Sequence, residues 1–245
     1  MMKKKVKGSS SDRVSTGISN FDSLIEKGFE KNSTNLIIGA SGSGKSIFAT
    51  QFIIEGLKKG EKCLYVTFEE KRGEFFNNMK RFGWDLESYE KKGLLVFLEY
   101  MPEKVKLMLE EGGGAIENVI TKNKISRMVI DSITSFEIMF DNELEKREAA
   151  LELFNMLSSW NCTALLTYEK DPIKEAISGA KALEFECDSI INLYYLLNKG
   201  ERETYLEIMK MRGTKHSRRI YKLKISDKGI LVDKNSSSIE LLKNA

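Results

Sequence analysis

Eight consecutive residues, from Gly39 to Ser46, have the types and the spacing of a loop that binds a chain of phosphates. They read GASGSGKS and match the pattern G-x-x-x-x-G-K-[ST] at every fixed position. Glycines let the backbone curl so that several N–H groups point at one anion, and a helix that follows directs its positive end at the same place. The pattern therefore predicts nucleotide binding through Ser41, Gly42, Ser43, Gly44, Lys45, Ser46 and Ile47.

Two side chains of this loop have chemistry of their own. We expect Lys45 to reach the β- and γ-phosphates of a nucleotide, and the hydroxyl of Ser46 to hold Mg²⁺. The apolar run before the loop is typical of a short buried strand, and the run after it is typical of a helix. A turn that binds nothing needs one or two glycines but has no use for an adjacent Lys-Ser pair.

Asp131 is a third candidate, because it ends the apolar run Met128 to Ile130. In open α/β sheets, functional side chains collect at the carboxyl ends of the parallel strands. From such a position Asp131 could hold Mg²⁺ through water. The alternative is that it caps the segment that follows.

Glu69 and Glu70 form a pair of acids at the end of another strand-like run. Two carboxylates beside a nucleotide could polarise an attacking water molecule, which hydrolysis requires. The alternative is an exposed pair at the start of a helix, where the helix dipole favours negative charge. The sequence does not decide which of the two would be the base.

Lys210 and Arg212 lie two residues apart in a strand-like segment and therefore leave it on the same face. Two cations on one face could neutralise phosphate charge in a transition state. Edge strands commonly carry lysine, so the pattern alone favours two solvated side chains. His216, the only histidine, follows in a predicted loop, where a lone histidine is usually a surface residue.

Strand-like and helix-like patterns alternate along the first two thirds of the chain, which predicts βαβ units and a parallel sheet. The last third alternates apolar and polar residues around turn signals, which predicts an antiparallel extension at one edge. We expect a flexible basic tail at 1–12, one domain at 13–233 and a second tail at 234–245. The predicted strands are 35–39, 62–68, 94–98, 128–130, 163–167, 189–197, 204–211, 221–225 and 230–232, and the predicted helices are 47–57, 73–82, 103–109, 115–121 and 143–160.

The composition argues against several classes of protein. The net charge is only +3 over 245 residues, and four lysines lie in the first seven, so a body that binds DNA electrostatically is not supported. No apolar run is long enough to span a bilayer, which disfavours a membrane protein. The three cysteines are far apart and form no metal-binding pattern, as expected for a cytoplasmic protein.

The order of these motifs resembles that of the KaiC-type ATPases, which are relatives of the RecA and RadA recombinases. The resemblance extends from Arg13 to Val232, and its specificity lies in the ordered set of motifs. The segments that carry it are RVSTGISNFD at 13–22, GASGSGKS at 39–46, VTFEE at 66–70, FGWDL at 82–86, VIDSITS at 129–135 and LEIMKMRGTKH at 206–216.

The resemblance implies a RecA-like α/β core, ATP and Mg²⁺ as ligands, and a homo-oligomeric ring, usually a hexamer, with ATP between subunits. Lys45 and Ser46 would then bind phosphate and Mg²⁺, with Asp131 as the acid on the metal side. Glu69 and Glu70 would activate water. The resemblance also implies that Lys210, Arg212 and His216 reach the neighbouring subunit's nucleotide. For Lys210 and Arg212 this reverses the interpretation from pattern alone.

Three functions stay open at this point: a ring ATPase that acts on an unknown protein client, a recombinase paralogue that binds DNA, and an autophosphorylating kinase. Against DNA binding, the segment 169–181 carries mixed charge rather than an excess of lysine and arginine. The chain has no counterpart of the Ser-Thr autophosphorylation segment that the double-domain KaiC-type clock protein of cyanobacteria carries in its second domain. Sequence signatures of GTPases, transporter ATPases and protein kinases are also absent.

Overall fold

The structure is a computed structural model that describes residues 13–100, 114–134, 140, 142–175, 182–198 and 200–236. The expected basic tail at 1–12, the expected helix at 103–109 and most of the expected tail at 234–245 lie outside the described residues. So does the part of the 169–181 segment from 176 to 181.

Nine strands of the described chain form one sheet, in the order β11-β10-β9-β8-β3-β7-β6-β4-β5. The pairs from β5 to β8 are parallel, and β9, β10 and β11 continue the sheet as an antiparallel extension. The strands of this sheet are β3 (Thr34–Gly39), β4 (Cys63–Thr67), β5 (Leu95–Glu99), β6 (Arg127–Asp131), β7 (Thr163–Glu169), β8 (Ser189–Asn198), β9 (Glu201–Met211), β10 (Tyr221–Ser226) and β11 (Gly229–Asp233); β1 (Arg13–Val14) and β2 (Phe29–Glu30) pair separately.

The helices cover the two faces of the parallel part of the sheet. They are α1 (Lys45–Lys58), α2 (Arg72–Lys80), α3 (Leu86–Lys91), α4 (Gly114–Asn123), α5 (Glu143–Ser159), α6 (Pro172–Glu175) and α7 (Ala182–Glu186), with a 3-10 helix at Asp22–Leu24. One apolar core lies between the sheet and α1 to α3, and a second lies between the sheet and α4 and α5. No helix of the described ranges is long and apolar enough to cross a lipid bilayer.

The α/β fold expected from the alternating patterns is confirmed, including the antiparallel extension. Most boundaries differ from the predicted ones by one or two residues, and the helix expected at 73–82 already ends at Lys80. The sequence patterns did not predict the β1–β2 pair or the short helices α3, α6 and α7. These elements are too short for an apolar period to be recognised.

Arg127 holds α1 against the sheet from the end of the helix that lies far from the loop. Its side chain is 1% exposed and makes two hydrogen bonds to the Glu61 carboxylate, at 2.6 and 2.9 Å. The same guanidinium donates to the carbonyl oxygens of Ser15 and Phe52, at 2.7 and 3.0 Å. Burial opposes ionisation of Glu61, but the hydrogen bonds and the charge of Arg127 outweigh it and lower the pKa of that carboxyl.

We predict that Arg127→Ala lowers the free energy of unfolding by about 3–5 kcal/mol, because it leaves a partly buried carboxylate without its partner. Urea unfolding at neutral pH measures the loss. Arg219→Ala, which removes an exposed arginine, is the control and should change stability by less than about 0.5 kcal/mol. The contribution of the pair should be present above pH 4.5, the ordinary pKa of Glu61, and should be lost as the pH falls through the lowered pKa. Equal unfolding midpoints for the two variants would contradict the assignment.

Candidate nucleotide site

The predicted phosphate loop connects the carboxyl end of the central strand β3 to the first turn of α1. Gly42 and Gly44 have φ angles of 79° and 96°, and Gly44 is the N-cap of α1 without any side-chain hydrogen bond to the helix. The first N–H groups of a helix have no partner within it, so an uncapped start presents these donors to an anion. A Cβ atom on Gly44 would also lie 3.0 Å from Ile225 Cδ1. Glycine therefore suits this position in both conformation and space.

Ser43 provides a structural test of whether the loop suits a phosphate ligand. Its hydroxyl oxygen is buried and has no hydrogen-bond partner, a property that it shares among the described residues only with Ser236. A buried hydroxyl without a partner is costly, because it has lost its hydrogen bonds to water. A Cβ atom on Gly39 would lie only 2.4 Å from this oxygen, so the glycine is needed to make room for it. The loop thus fits a polar ligand that bonds to Ser43.

Lys45 is the cation of the loop, and its side chain is only 8% exposed. Its ammonium group donates to the carbonyl oxygen of Ala40 at 3.1 Å and lies 3.6 Å from a carboxylate oxygen of Glu169. Glu169 ends β7 and is paired with Gly39 in the sheet. Lys45 is therefore held at the loop with its charge partly balanced. The sequence patterns did not single out Glu169, because β7 was predicted to end at residue 167.

Asp131 lies at the carboxyl end of β6, next to β4 and β7, and is buried. One carboxylate oxygen accepts a hydrogen bond from the Tyr65 hydroxyl at 2.7 Å, and the other accepts one from Thr167. Burial and the Asp131 charge raise the pKa of Tyr65 well above its ordinary value, so the hydroxyl stays protonated and donates. The carboxylate is oriented by side chains of both flanking strands. Both carboxylate oxygens of Asp131 therefore bond to other strands, whereas a cap would bond to the segment that follows Asp131.

Glu69 and Glu70 lie in the bend after β4, before α2 begins at Arg72. Their backbone N–H groups both donate to the Thr67 hydroxyl at 3.2 Å. The β4–β6 register pairs Thr67 with Asp131. Glu69 and Glu70 therefore follow the residue that is paired with Asp131, so the three acids lie at the same end of neighbouring strands.

The two glutamates have different surroundings. The Glu69 side chain is exposed and accepts a hydrogen bond from Ser132. Glu70 is half-buried, and burial raises the pKa of its carboxyl above the ordinary 4.5. A hydrogen bond from Asn78 opposes that shift, whereas the negative charge of Asp131 adds to it. Glu70 is therefore the more enclosed of the two carboxyls, and a raised pKa is a property that favours accepting a proton.

Lys210 and Arg212 lie near the amino ends of the parallel strands, whereas the phosphate loop of the same chain lies at their carboxyl ends. Lys210 is paired with Ile190 on β8, near the start of β3, whereas Gly39 is paired with Leu193. The cations are thus about 10–16 Å along the strands from the loop and two strands across from it. They lie on one face, as expected, since both donate to the carbonyl oxygen of Phe185, at 3.0 and 2.6 Å.

The loop that follows Arg212 rests on the start of the chain. Arg13 donates to the Thr214 hydroxyl at 2.7 Å, and the Ser217 N–H donates to the carbonyl oxygen of Leu24 at 3.0 Å. His216 is half-buried, with Nδ1 3.0 Å from the Ser217 carbonyl oxygen. His216 therefore lies at the same end of the sheet as Lys210 and Arg212, away from Asp131, Glu69 and Glu70.

The family of the chain follows from comparison with known proteins. A sequence model of the family described as "ATPase: KaiC" matches residues 14–237. The chain belongs to the KaiC ATPase family. Among curated relatives, the circadian clock protein KaiC3 of Synechocystis is 32% identical over 94% of this chain, which spans 47% of that protein. A UPF0273 protein of Thermotoga maritima is also 32% identical, over 90% of this chain and 95% of its own length.

The fold agrees with a solved structure of the same family. The KaiC-like protein of Pyrococcus horikoshii OT3 is 35% identical and superposes with a TM-score of 0.79, covering 90% of this chain and 98% of its own. The RecA-like core that the motif order implied is confirmed by this match. The chain spans about half the length of some KaiC relatives, such as KaiC3, and nearly all of others.

The donor set also bears on whether Mg²⁺ fits this KaiC-family site. No group of three or more His, Cys, Asp or Glu side chains in the described ranges is arranged to hold a metal ion alone. The Ser46 hydroxyl and the Asp131 carboxylate are oxygen donors of the type that Mg²⁺ prefers, and Mg²⁺ at such sites takes its other ligands from phosphates and water. The residues therefore fit a metal that binds together with a nucleotide.

We predict that Glu70→Gln lowers ATP hydrolysis by roughly 10²–10⁴-fold, the range for loss of a positioned base, whereas Glu69→Gln has a smaller effect. In the wild type, the rate should fall on acidification along a limb above pH 4.5, because the carboxylate must be ionised and its pKa is raised. That limb should persist in Glu69→Gln and disappear in Glu70→Gln. Steady-state rates between pH 4.5 and 8 measure both effects.

Glu74→Gln is the matched control, since it removes a nearby negative charge that raises the pKa of Glu70. It should keep the activity and move the acid limb to lower pH. A large loss in Glu69→Gln with an active Glu70→Gln would reverse the assignment of the base.

Proposed function

We propose that this KaiC-family protein binds ATP with Mg²⁺ and hydrolyses it slowly, in a hexameric ring with the nucleotide between subunits. The observation that carries the proposal is that three groups meet at the carboxyl ends of neighbouring parallel strands. The phosphate loop follows β3, the water-activating acids follow β4, and Asp131 ends β6. The buried Ser43 hydroxyl without a partner supports a ligand at these strand ends.

Each residue then has a role that its position supports. The N–H groups of the loop and the start of α1 bind phosphate oxygens, and Lys45 neutralises negative charge on the β- and γ-phosphates. Ser46 and Asp131 would hold Mg²⁺, which supplies charge neutralisation and orientation of the phosphates when bound. Glu70 accepts a proton from the attacking water, and Glu69 supports the same water or the Ser132 segment.

Lys210, Arg212 and His216 are proposed to act on the nucleotide of the neighbouring subunit. They lie at the end of the parallel strands opposite to their own phosphate loop. This supports the proposal, because in a head-to-tail ring one surface of each subunit contacts a different surface of the next subunit. Cations that neutralise transition-state charge from a second subunit are known to be effective in phosphoryl transfer. We propose that the ring acts in the cytoplasm on a protein client and not on DNA. The near-neutral body and the three buried free cysteines support this.

We predict that phosphate release from ATP depends on Lys45 and on Mg²⁺. Lys45→Ala removes the buried ammonium group and should abolish both nucleotide binding and hydrolysis, while the double variant Glu69→Gln with Glu70→Gln should bind ATP and hydrolyse it roughly 10²–10⁴-fold more slowly. Binding by titration and release by a phosphate assay separate these outcomes. Equal rates for the wild type and Lys45→Ala would refute the proposed activity.

The shared site has its own test, in which two inactive variants are mixed. Lys45→Ala lacks the loop cation, and Arg212→Ala lacks the cation offered to the neighbour. After random subunit exchange in equal amounts, roughly a quarter of the interfaces should combine an intact loop with an intact Arg212, so activity should partly return. Exchange is verified independently by energy transfer between labelled subunits. Exchange without recovered activity would show that Arg212 does not act across the interface.

A further inference from the structure

The two cations that face the proposed neighbour are held by a short helix. Lys210 donates to the carbonyl oxygens of Glu184 and Phe185, both at 3.0 Å, and Arg212 donates to that of Phe185 at 2.6 Å. These residues are at the end of α7, where the last carbonyl groups of a helix have no partner within it and attract cations. The position of α7 therefore sets where the two cations point.

The position of α7 is in turn fixed by a contact with the carboxyl ends of the parallel strands, where the phosphate loop lies. The Glu184 carboxylate forms an ion pair with Lys170 at 3.1 Å, and the two side chains are only 11% and 5% exposed. Lys170 directly follows β7, and its backbone N–H donates to the carbonyl oxygen of Gly39 at 3.1 Å. Its ammonium group also lies 5.9 Å from the centre of the Tyr168 ring.

A continuous set of contacts thus connects the carboxyl ends of the parallel strands with their amino ends. It begins at Gly39, at the base of the phosphate loop, and passes through Lys170 to the Glu184 carboxylate. From Glu184 and Phe185 it continues to Lys210 and Arg212. An ion pair that is this well buried is hardly screened by solvent and holds its partners in one geometry.

We infer that Lys170 is a positioning residue for the active site of the neighbouring subunit, although its own backbone is bonded to the phosphate loop of its own subunit. Through Glu184 it fixes α7, and α7 fixes the two cations. This inference rests on the proposed function, in which Lys210 and Arg212 act across the interface. From its place beside Gly39 alone, Lys170 would be expected to serve its own subunit.

The experiment assigns Lys170 to one of two complementation groups. Lys170→Met should lower the rate at saturating ATP by roughly 10–100-fold, as a small displacement of catalytic groups does, and leave nucleotide affinity within about twofold of the wild type. Mixed with Lys45→Ala, it should regain activity, because Lys45→Ala supplies well-placed cations to its intact loop. Mixed with Arg212→Ala, it should regain none.

Three further variants exclude a merely structural effect. Lys170→Arg keeps the charge and should restore most of the rate. The double variant Lys170→Met with Glu184→Met removes both charges, so it avoids an unpaired buried carboxylate and keeps the test valid if the single variant folds poorly. It should show the same pattern of complementation. Lys122→Met removes an exposed lysine of α4 and should behave as the wild type.

The outcomes separate the inference from the proposal beneath it. If Lys45→Ala and Arg212→Ala complement each other but Lys170→Met complements Arg212→Ala instead of Lys45→Ala, Lys170 serves its own site and the inference is wrong. A rate for Lys170→Met equal to that of Lys122→Met overturns it as well. If the reference pair itself does not complement, the shared site is wrong, and the inference falls with it.

Discussion

The buried Arg127 guanidinium is the interaction on which the positions of the other parts depend. It binds the Glu61 carboxylate, the Phe52 carbonyl of α1 and the Ser15 carbonyl of the first segment, so it joins α1, the start of β6 and the amino-terminal segment. On another face of α1, Gln51 binds the backbone of Ile230 on β11. A phosphate loop that continues directly into α1 can be only as well fixed as that helix. Packing along α1 is thus a condition for holding the loop at its start in one position.

The two edges of the sheet have different chemistry. Parallel strands align their carboxyl ends, so every residue that follows such a strand comes to the same edge, and the phosphate loop and the acids do so here. Strand β9 is antiparallel to β8, so its last residues lie at the amino ends of the parallel strands. One chain then carries a nucleotide site at one edge and a pair of cations at the other. This division suits the head-to-tail assembly proposed above, in which the two sets meet at an interface between subunits.

The charged groups of the site are stabilised by partners that also orient them. Asp131 is buried but accepts hydrogen bonds from Tyr65 and Thr167, and Lys45 is buried beside Glu169. A buried charge without such partners would cost several kcal/mol. Glu70 is the exception, because burial and neighbouring negative charge raise its pKa instead of lowering it. A group kept in this less favourable state is suited to accept a proton.

The phosphate loop, the acids at strand ends, the alternation that gives a parallel sheet and the membership of the KaiC family could all be predicted from the sequence. Each of these depends on residue type and local spacing, which are properties of a short segment. The three-dimensional structure was needed to show that Asp131 is held by Tyr65 and Thr167, that Glu70 is more buried than Glu69, and that Lys170 is joined to α7. These contacts link residues 14 to 66 positions apart, and their geometry follows from strand order and helix packing. No local pattern carries that information, because it exists only once the sheet has formed.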